Sequence, residues 1–248
     1  MPRRSLLAHP PAASLGALLG SAASGLLDLI APQRCGACEA EGALLCADCR
    51  ATLLPSAGAR GTLAPPPKGV GAAAFVGDYG TGLGAALRTL KFHDTPRLAQ
   101  ALGAALAPAI ARVVVELGAT GAVLVPMPTD RTRMRERGFD HALLLATAAA
   151  DASGYPVAEL LERTRAVPPL HRLGRLERRR ALDGAVALRA ASPGALSGTV
   201  PDGAAVVLVD DVWTSGATFE AAARALLPHY PRIGAVAVAR EPLGAPQP

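Results

Sequence analysis

Aromatic residues are scarce in this chain: one Trp, three Tyr and four Phe make up 3% of 248 residues. Any core must therefore be aliphatic, and little is left for stacking on nucleic-acid bases. Lysine is nearly absent, with Lys68 and Lys91 the only two among 25 basic residues, so Arg carries the positive charge. Every apolar run is interrupted by Gly, Pro, Arg or Asp before the ~18–20 residues of a membrane span, so none is expected. Cysteine is missing outside residues 35–49, whereas a secreted disulfide scaffold would spread its cysteines along the chain. What is present argues against disorder: 50% of residues are hydrophobic and 18% charged. The length suits one or two domains, and a formal charge of +5 favours anionic ligands only weakly.

Residues 1–31 share a signal peptide's outline, with a basic start and an apolar middle. Pro10, Pro11 and Asp28 interrupt that outline, and Leu15, Leu18, Leu19, Leu26, Leu29 and Ile30 fall near helical spacing. An amphipathic N-terminal segment is the preferred reading, and the chain is expected to be cytoplasmic.

The four cysteines form two pairs, Cys35-Gly-Ala-Cys38 and Cys46-Ala-Asp-Cys49, seven residues apart. Two residues between paired cysteines let both sulfurs of a tight turn reach one ion. Two such knuckles across a short hairpin would close a tetrahedral site of the structural zinc type, with no position left open for catalysis. A redox pair and unrelated thiols are the alternatives. A zinc ribbon is expected over 32–54, with metal binding supplying its folding energy.

Residues 55–71 are rich in Pro, Gly and Ala and read as a linker. From residue 72 onward, apolar runs alternate with helical patterns. Strands are expected at 72–76, 122–125, 204–209 and 233–239, with helices at 84–92, 96–115, 142–152 and 219–227. Pro108 should kink or divide the second helix. Residues 157–161 are extended or helical. This alternation predicts a parallel sheet covered on both faces, an α/β domain spanning 72–248.

The most informative stretch is residues 204–227, where a buried strand ends in Asp210 and Asp211. A small-residue turn follows (Thr214, Ser215, Gly216, Ala217, Thr218) and opens a helix. A helix N-terminus offers free N–H groups to a phosphate, and Gly216 lets the backbone approach closely. The acids repel phosphate and suit ribose hydroxyls, with room for a magnesium ion nearby. A phosphate beside a diol describes a ribose 5-phosphate. The plainer alternative is a strand–turn–helix with its acids in solvent. A Walker loop is excluded, since no Gly-Lys-Ser/Thr follows the turn.

The whole string resembles the 5-phosphoribosyl-1-pyrophosphate (PRPP) motif of type I phosphoribosyltransferases. Further segments resemble the ComF family of competence-associated proteins, in which a zinc ribbon precedes a phosphoribosyltransferase-like domain. These are Leu27–Ile30 with the cysteine pairs, Leu90-Lys91-Phe92, and Val125–Pro128 followed by Arg131, Arg133, Arg135 and Arg137-Gly138-Phe139. Arg163-Thr-Arg165 and Leu173–Arg180 extend the likeness. The chain departs from that pattern at Asp140, His141, Val167, Leu170 and Gly174, mostly by losing a polar group.

The resemblance implies a type I phosphoribosyltransferase fold that binds PRPP with Mg²⁺ and transfers the phosphoribosyl group to an acceptor, releasing pyrophosphate. It places Asp210 and Asp211 on the ribose and residues 214–218 on the 5-phosphate. Arg131, Arg133, Arg135, Arg137 and Lys91 would bear on the pyrophosphate, with Arg175–Arg180 in a hood. The rival reading, also implied by the family, is a non-catalytic module of DNA uptake that senses PRPP or touches single-stranded DNA or competence proteins. His141 is expected to begin a helix, and Trp213 to plug its loop rather than stack on a base. An amidophosphoribosyltransferase is disfavoured because Pro2, not Cys, follows Met1.

Overall fold

The computed structural model describes residues 33–54, 62–92, 96–130, 132, 134–135, 138–167, 175–189 and 200–241. The expected N-terminal amphipathic helix, Arg131, Arg133, Arg137, Leu170 and Gly174 lie outside them.

Four strands run parallel in the order β2 (Ala72–Asp78), β7 (Ile233–Arg240), β6 (Ala205–Trp213), β3 (Ala122–Pro126). An antiparallel edge strand, β1 (Thr62–Ala64), pairs with β2. Strands buried on both faces read as continuous Ala, Val and Leu. Helices cover both sides, as expected. Residues of α2 (Leu83–Phe92), α3 (Pro96–Ala104), α4 (Ala107–Glu116) and α5 (His141–Ser153) pack with Ala74, Val76, Val207, Val209 and Val236. On the other face, α7 (Ala217–Leu226) and Leu182 of α6 (Arg175–Leu182) pack with Ala73, Val123, Val206 and Leu208. A small antiparallel strand pair, β4 (Leu161–Arg163) with β5 (Val186–Leu188), forms a second sheet packed against the same core.

Pro108 divides the second helix, as expected, because it sits in the first turn of α4 where no N–H is needed. Gly103 allows α3 to lie against α5, since a Cβ there would stand 2.6 Å from both the Ala148 methyl and the Leu145 carbonyl. The helical stretch Arg97–Glu116 is long and apolar enough to cross a membrane by length and composition, although Gly103, Pro108 and Arg112 interrupt its apolar run as expected. Half of it is buried inside the protein, with Leu98, Leu102, Leu106, Ile110 and Val113 in the core. Burial against a sheet accounts for its apolar character.

Three further differences have physical causes. The segment expected as a linker carries β1, and its Pro67 and Val70 are buried. The second cysteine pair opens a helix, α1 (Ala47–Leu53), with the Cys46 sulfur as its N-terminal cap, where a hairpin was expected. The cysteine segment is also continuous with the main core. Cys35, Leu45 and Leu53 pack in the same cluster as Leu83, Leu87, Leu90 and Leu98.

Candidate functional site

Strand β6 runs past the two acids to Trp213, further than its sequence pattern suggested. Pairing with β7 continues through Asp210–Ala237, Val212–Ala239 and Trp213–Arg240, and the Glu241 N–H donates to the Trp213 carbonyl (2.9 Å). Gly216 then turns the chain in the left-handed region (φ 77°) and caps α7 without any side-chain bond. The helix starts at Ala217, so residues 217 and 218 lie in its first turn, where N–H groups have no intrahelical partner. The Ser215 hydroxyl accepts from the Ala217 N–H at 3.4 Å.

Two neighbours hold this loop in shape. A Cβ on Gly216 would stand 3.0 Å from the Pro67 ring and 3.2 Å from the Trp213 Nε1. Trp213 itself is buried and meets Phe219 edge to face, with ring centroids 5.9 Å apart. The Arg240 guanidinium lies 5.5 Å from the centroids of both the Trp213 and Phe75 rings. Trp213 thus fills the loop, in keeping with the plugging role.

The acids differ in their surroundings. Asp211 is 5% exposed and forms an ion pair with Lys91 from the last turn of α2. His141 Nε2, from the first turn of α5, lies 3.6 Å from its other oxygen. Burial alone would raise the Asp211 carboxyl; the Lys91 ammonium and then His141 outweigh it and hold the group well below the usual carboxylate range. Asp210 is half-buried and accepts the Asp211 backbone N–H at 2.9 Å. Burial and then the Asp211 charge push its carboxyl up to about 7. Donor atoms of His141, Asp210 and Asp211 all lie within 4.8 Å of one another, but Lys91 already supplies a cation to this cluster.

Asp140, where the sequence departs from the family pattern, caps α5. Its Oδ1 accepts from the Ala142 and Leu143 N–H groups (3.0 and 3.2 Å) and from the Thr129 hydroxyl (2.9 Å). An acid directly before a helical pattern was the available signal for this role. His141 begins the helix as expected. No sequence signal tied it to Asp211, since that contact depends on how α5 meets β6.

Arg135 is exposed on a short helical turn in which the Met134 N–H bonds the Asp130 carbonyl and the Gly138 N–H bonds the Met134 carbonyl. The structure does not bring it to the acid pair by any contact among the described residues. Beside this turn lies a cavity of about 350 Å³, lined by Met127, Met134, Asp140, Glu162, Arg163 and Arg189 among others. Arg163 Nε donates to the Pro128 carbonyl (3.0 Å), and Arg165 donates to the Ala181 and Asp183 carbonyls at the end of α6. The two-stranded wall with its Glu159–Arg189 ion pair was not legible in the sequence, because strands of three residues leave no periodic signal.

The four cysteine sulfurs also lie within 4.8 Å of one another, and none forms a disulfide. Cys38 and Cys46 sulfurs are 3.7 Å apart, close to the ~3.8 Å edge of a tetrahedron around an ion bound at ~2.3 Å. Burial alone would raise the Cys35 thiol, but backbone N–H groups of Cys46, Ala37 and Cys38 bring it down to about 6. Burial and then the neighbouring Cys38, Cys46 and Cys35 groups push Cys49 up. Crowded thiols with inward N–H donors suit a cation shared by thiolates. The arrangement is compatible with a structural zinc.

The model of the phosphoribosyl transferase domain family matches residues 176–248, which contain β5, β6, the acid pair, the glycine turn, α7 and β7. Over this part the chain is similar to phosphoribosyl transferase domains. No curated protein matches the chain. The four parallel strands with helices on both faces are consistent with such a domain, and a phosphoribosyl ligand such as PRPP is the class it suggests.

Proposed function

We propose that the protein is a cytoplasmic, ComF-type phosphoribosyltransferase-like protein that binds PRPP with Mg²⁺. The observation that carries this reading is the end of β6. A half-buried carboxyl, Asp210, stands six residues before Gly216, which caps a helix whose first-turn N–H groups lack intrahelical partners, with the Ala217 N–H reaching the Ser215 hydroxyl at 3.4 Å. One element thus offers acceptors for a diol and donors for a phosphate, at the carboxyl end of parallel strands where such sheets bind ligands.

In transfer chemistry, residues 214–218 hold the 5-phosphate and Asp210 orients the ribose. A Mg²⁺ ion carried in with PRPP would supply charge neutralisation for the leaving pyrophosphate. Arg135, with Arg131, Arg133 and Arg137, adds cationic donors there, since guanidinium groups bind phosphates in pairs of hydrogen bonds. Breaking the bond between ribose C1 and pyrophosphate requires mainly that an oxocarbenium-like centre and the leaving charge be stabilised. The nearby cavity of about 350 Å³ has the size for one small acceptor. A structural zinc on Cys35, Cys38, Cys46 and Cys49 belongs to the same reading.

The test is titration calorimetry with PRPP and Mg²⁺, followed by pyrophosphate release across a panel of bases. Binding with release supports a transferase. Binding without release for any base supports the non-catalytic reading, a sensor or DNA-uptake module. Absence of PRPP binding overturns both.

A further inference from the structure

Asp210 and Asp211 are adjacent in sequence, yet the fold gives them different partners. Asp211 is enclosed from two elements, with Lys91 reaching it from α2 and His141 from α5. Its side chain is 7% exposed and that of His141 10%, so this contact lies inside the protein. Asp210 remains half-buried, and the hydrogen bond identified on it comes from the backbone of Asp211. A buried carboxylate with the partly exposed Lys91 ammonium on one oxygen and a buried imidazole near the other is already engaged on both sides, which leaves it poorly placed to take up a ligand's hydroxyls. Removing the ammonium alone would strand the Asp211 charge in the interior, and removing the carboxylate alone would leave a partly buried Lys91 without its counter-ion there.

We infer that the acid pair divides the work: Asp211 is an internal counter-ion locked by Lys91 and His141, and Asp210 is the acid presented to a ligand's diol. The second half rests on the proposed ribose 5-phosphate reading; the first half does not. Lys91 and His141 are then positioning residues, acting on the ligand only through Asp211. Among the described residues, the charged groups facing Asp210 are Asp211 on its own strand, His141 on α5 and Lys91 behind Asp211. The neighbouring β7 residues Ala237 and Ala239 carry none. A negative Asp211 fixed in place raises the Asp210 carboxyl, so that it holds a proton near neutral pH and can donate to one hydroxyl while accepting from the other.

The experiment compares Asp210→Asn, Asp211→Asn, Lys91→Met and the double variant Lys91→Met/Asp211→Asn in the full chain. Thermal unfolding is measured without ligand, and PRPP affinity with Mg²⁺ is measured from pH 5.5 to 8.5. Asp211→Asn should lower the unfolding midpoint by on the order of 10 °C, and the double variant should recover at least half of that loss. Asp210→Asn should leave the midpoint unchanged or higher, weaken PRPP at least tenfold, and abolish the part of the pH dependence that belongs to the protein. The double variant should bind PRPP better than Asp210→Asn and shift its pH profile to lower pH, because the charge that raises Asp210 is gone. A merely structural role for the Lys91–Asp211 pair would leave that profile in place. Equal loss of affinity in the two single Asn variants, without loss of stability in Asp211→Asn, overturns the division. Failure of the native protein to bind PRPP removes the ligand half and the phosphoribosyl reading with it. The unfolding comparison alone then decides the lock.

Discussion

Pro67 lies against Gly216, so that a Cβ built on the glycine would stand 3.0 Å from the proline ring. The contact joins the segment before β2 to the turn before α7, across 149 positions of sequence. It also sets two separate costs on any side chain at 216, the left-handed backbone (φ 77°) and the collision.

Gly216→Ala should therefore destabilise the protein by about 1–2 kcal/mol from backbone strain alone, with a further loss from contact. Adding Pro67→Gly should recover the contact part and leave the strain. Urea unfolding of the single and double variants checks this, and Gly216→Val should abolish PRPP binding in a chain that circular dichroism shows is folded.

Arg240 is held between Phe75 and Trp213, and the chain has one Trp. Intrinsic fluorescence thus reports on this sandwich without interference. Arg240→Met should change the Trp213 emission and cost roughly 0.5–2 kcal/mol, the range of a cation–aromatic contact. Unchanged emission would mean that the guanidinium does not sit on the indole in solution.

Asp140→Ala should cost about 1 kcal/mol, the usual value of an N-cap, and should loosen the start of α5 that carries His141. Asp140→Asn should cost much less, because Asn caps equally well. The departure from the family pattern at this position is therefore mild for the fold. Denaturant unfolding of both variants distinguishes them.

The acid pair gives a pH dependence of known sign. The folded chain keeps Asp210 protonated up to about 7, against an ordinary value of 3.8. Its contribution to stability is present below that ordinary value and is lost as pH rises towards 7, after which it stays level. Asp211 behaves oppositely, and its contribution is lost only in strong acid. Subtracting the unfolding free energy of Asp210→Asn from that of the native chain, between pH 5 and 8, should give a falling difference.

One zinc per chain is expected on the four thiolates, and Cys35→Ser should remove most of it. Because Cys35 packs with Leu87, Leu90 and Leu98, the variant should unfold at lower temperature as a whole. Metal analysis paired with calorimetry checks both parts; a transition confined to the cysteine segment would contradict the shared core.

The sheet was legible because its strands are long, apolar and separated by helical patterns, as in Ala205–Val209 and Ile233–Ala239. The acid pair, the glycine turn and the doubled cysteine pairs were legible because their chemistry depends on close spacing. What escaped was tertiary. The Lys91–Asp211 pair spans 120 positions, and Pro67 meets Gly216 only because the expected linker folds onto the loop. Strand β1 was hidden by its three-residue length and its run of prolines.

Gly36 lies beside Leu98 and Thr89, whose hydroxyl donates to the Gly36 carbonyl (3.2 Å) two residues before Lys91. The cysteine knuckle is in this way a buttress for the helix that supplies the acid pair with its cation. A metal bound by the four thiolates adds its binding free energy to the whole fold and not to an appendage. With a metal on these thiolates, scarcity of that metal would lower the amount of folded protein through turnover before it touched the chemistry of the site.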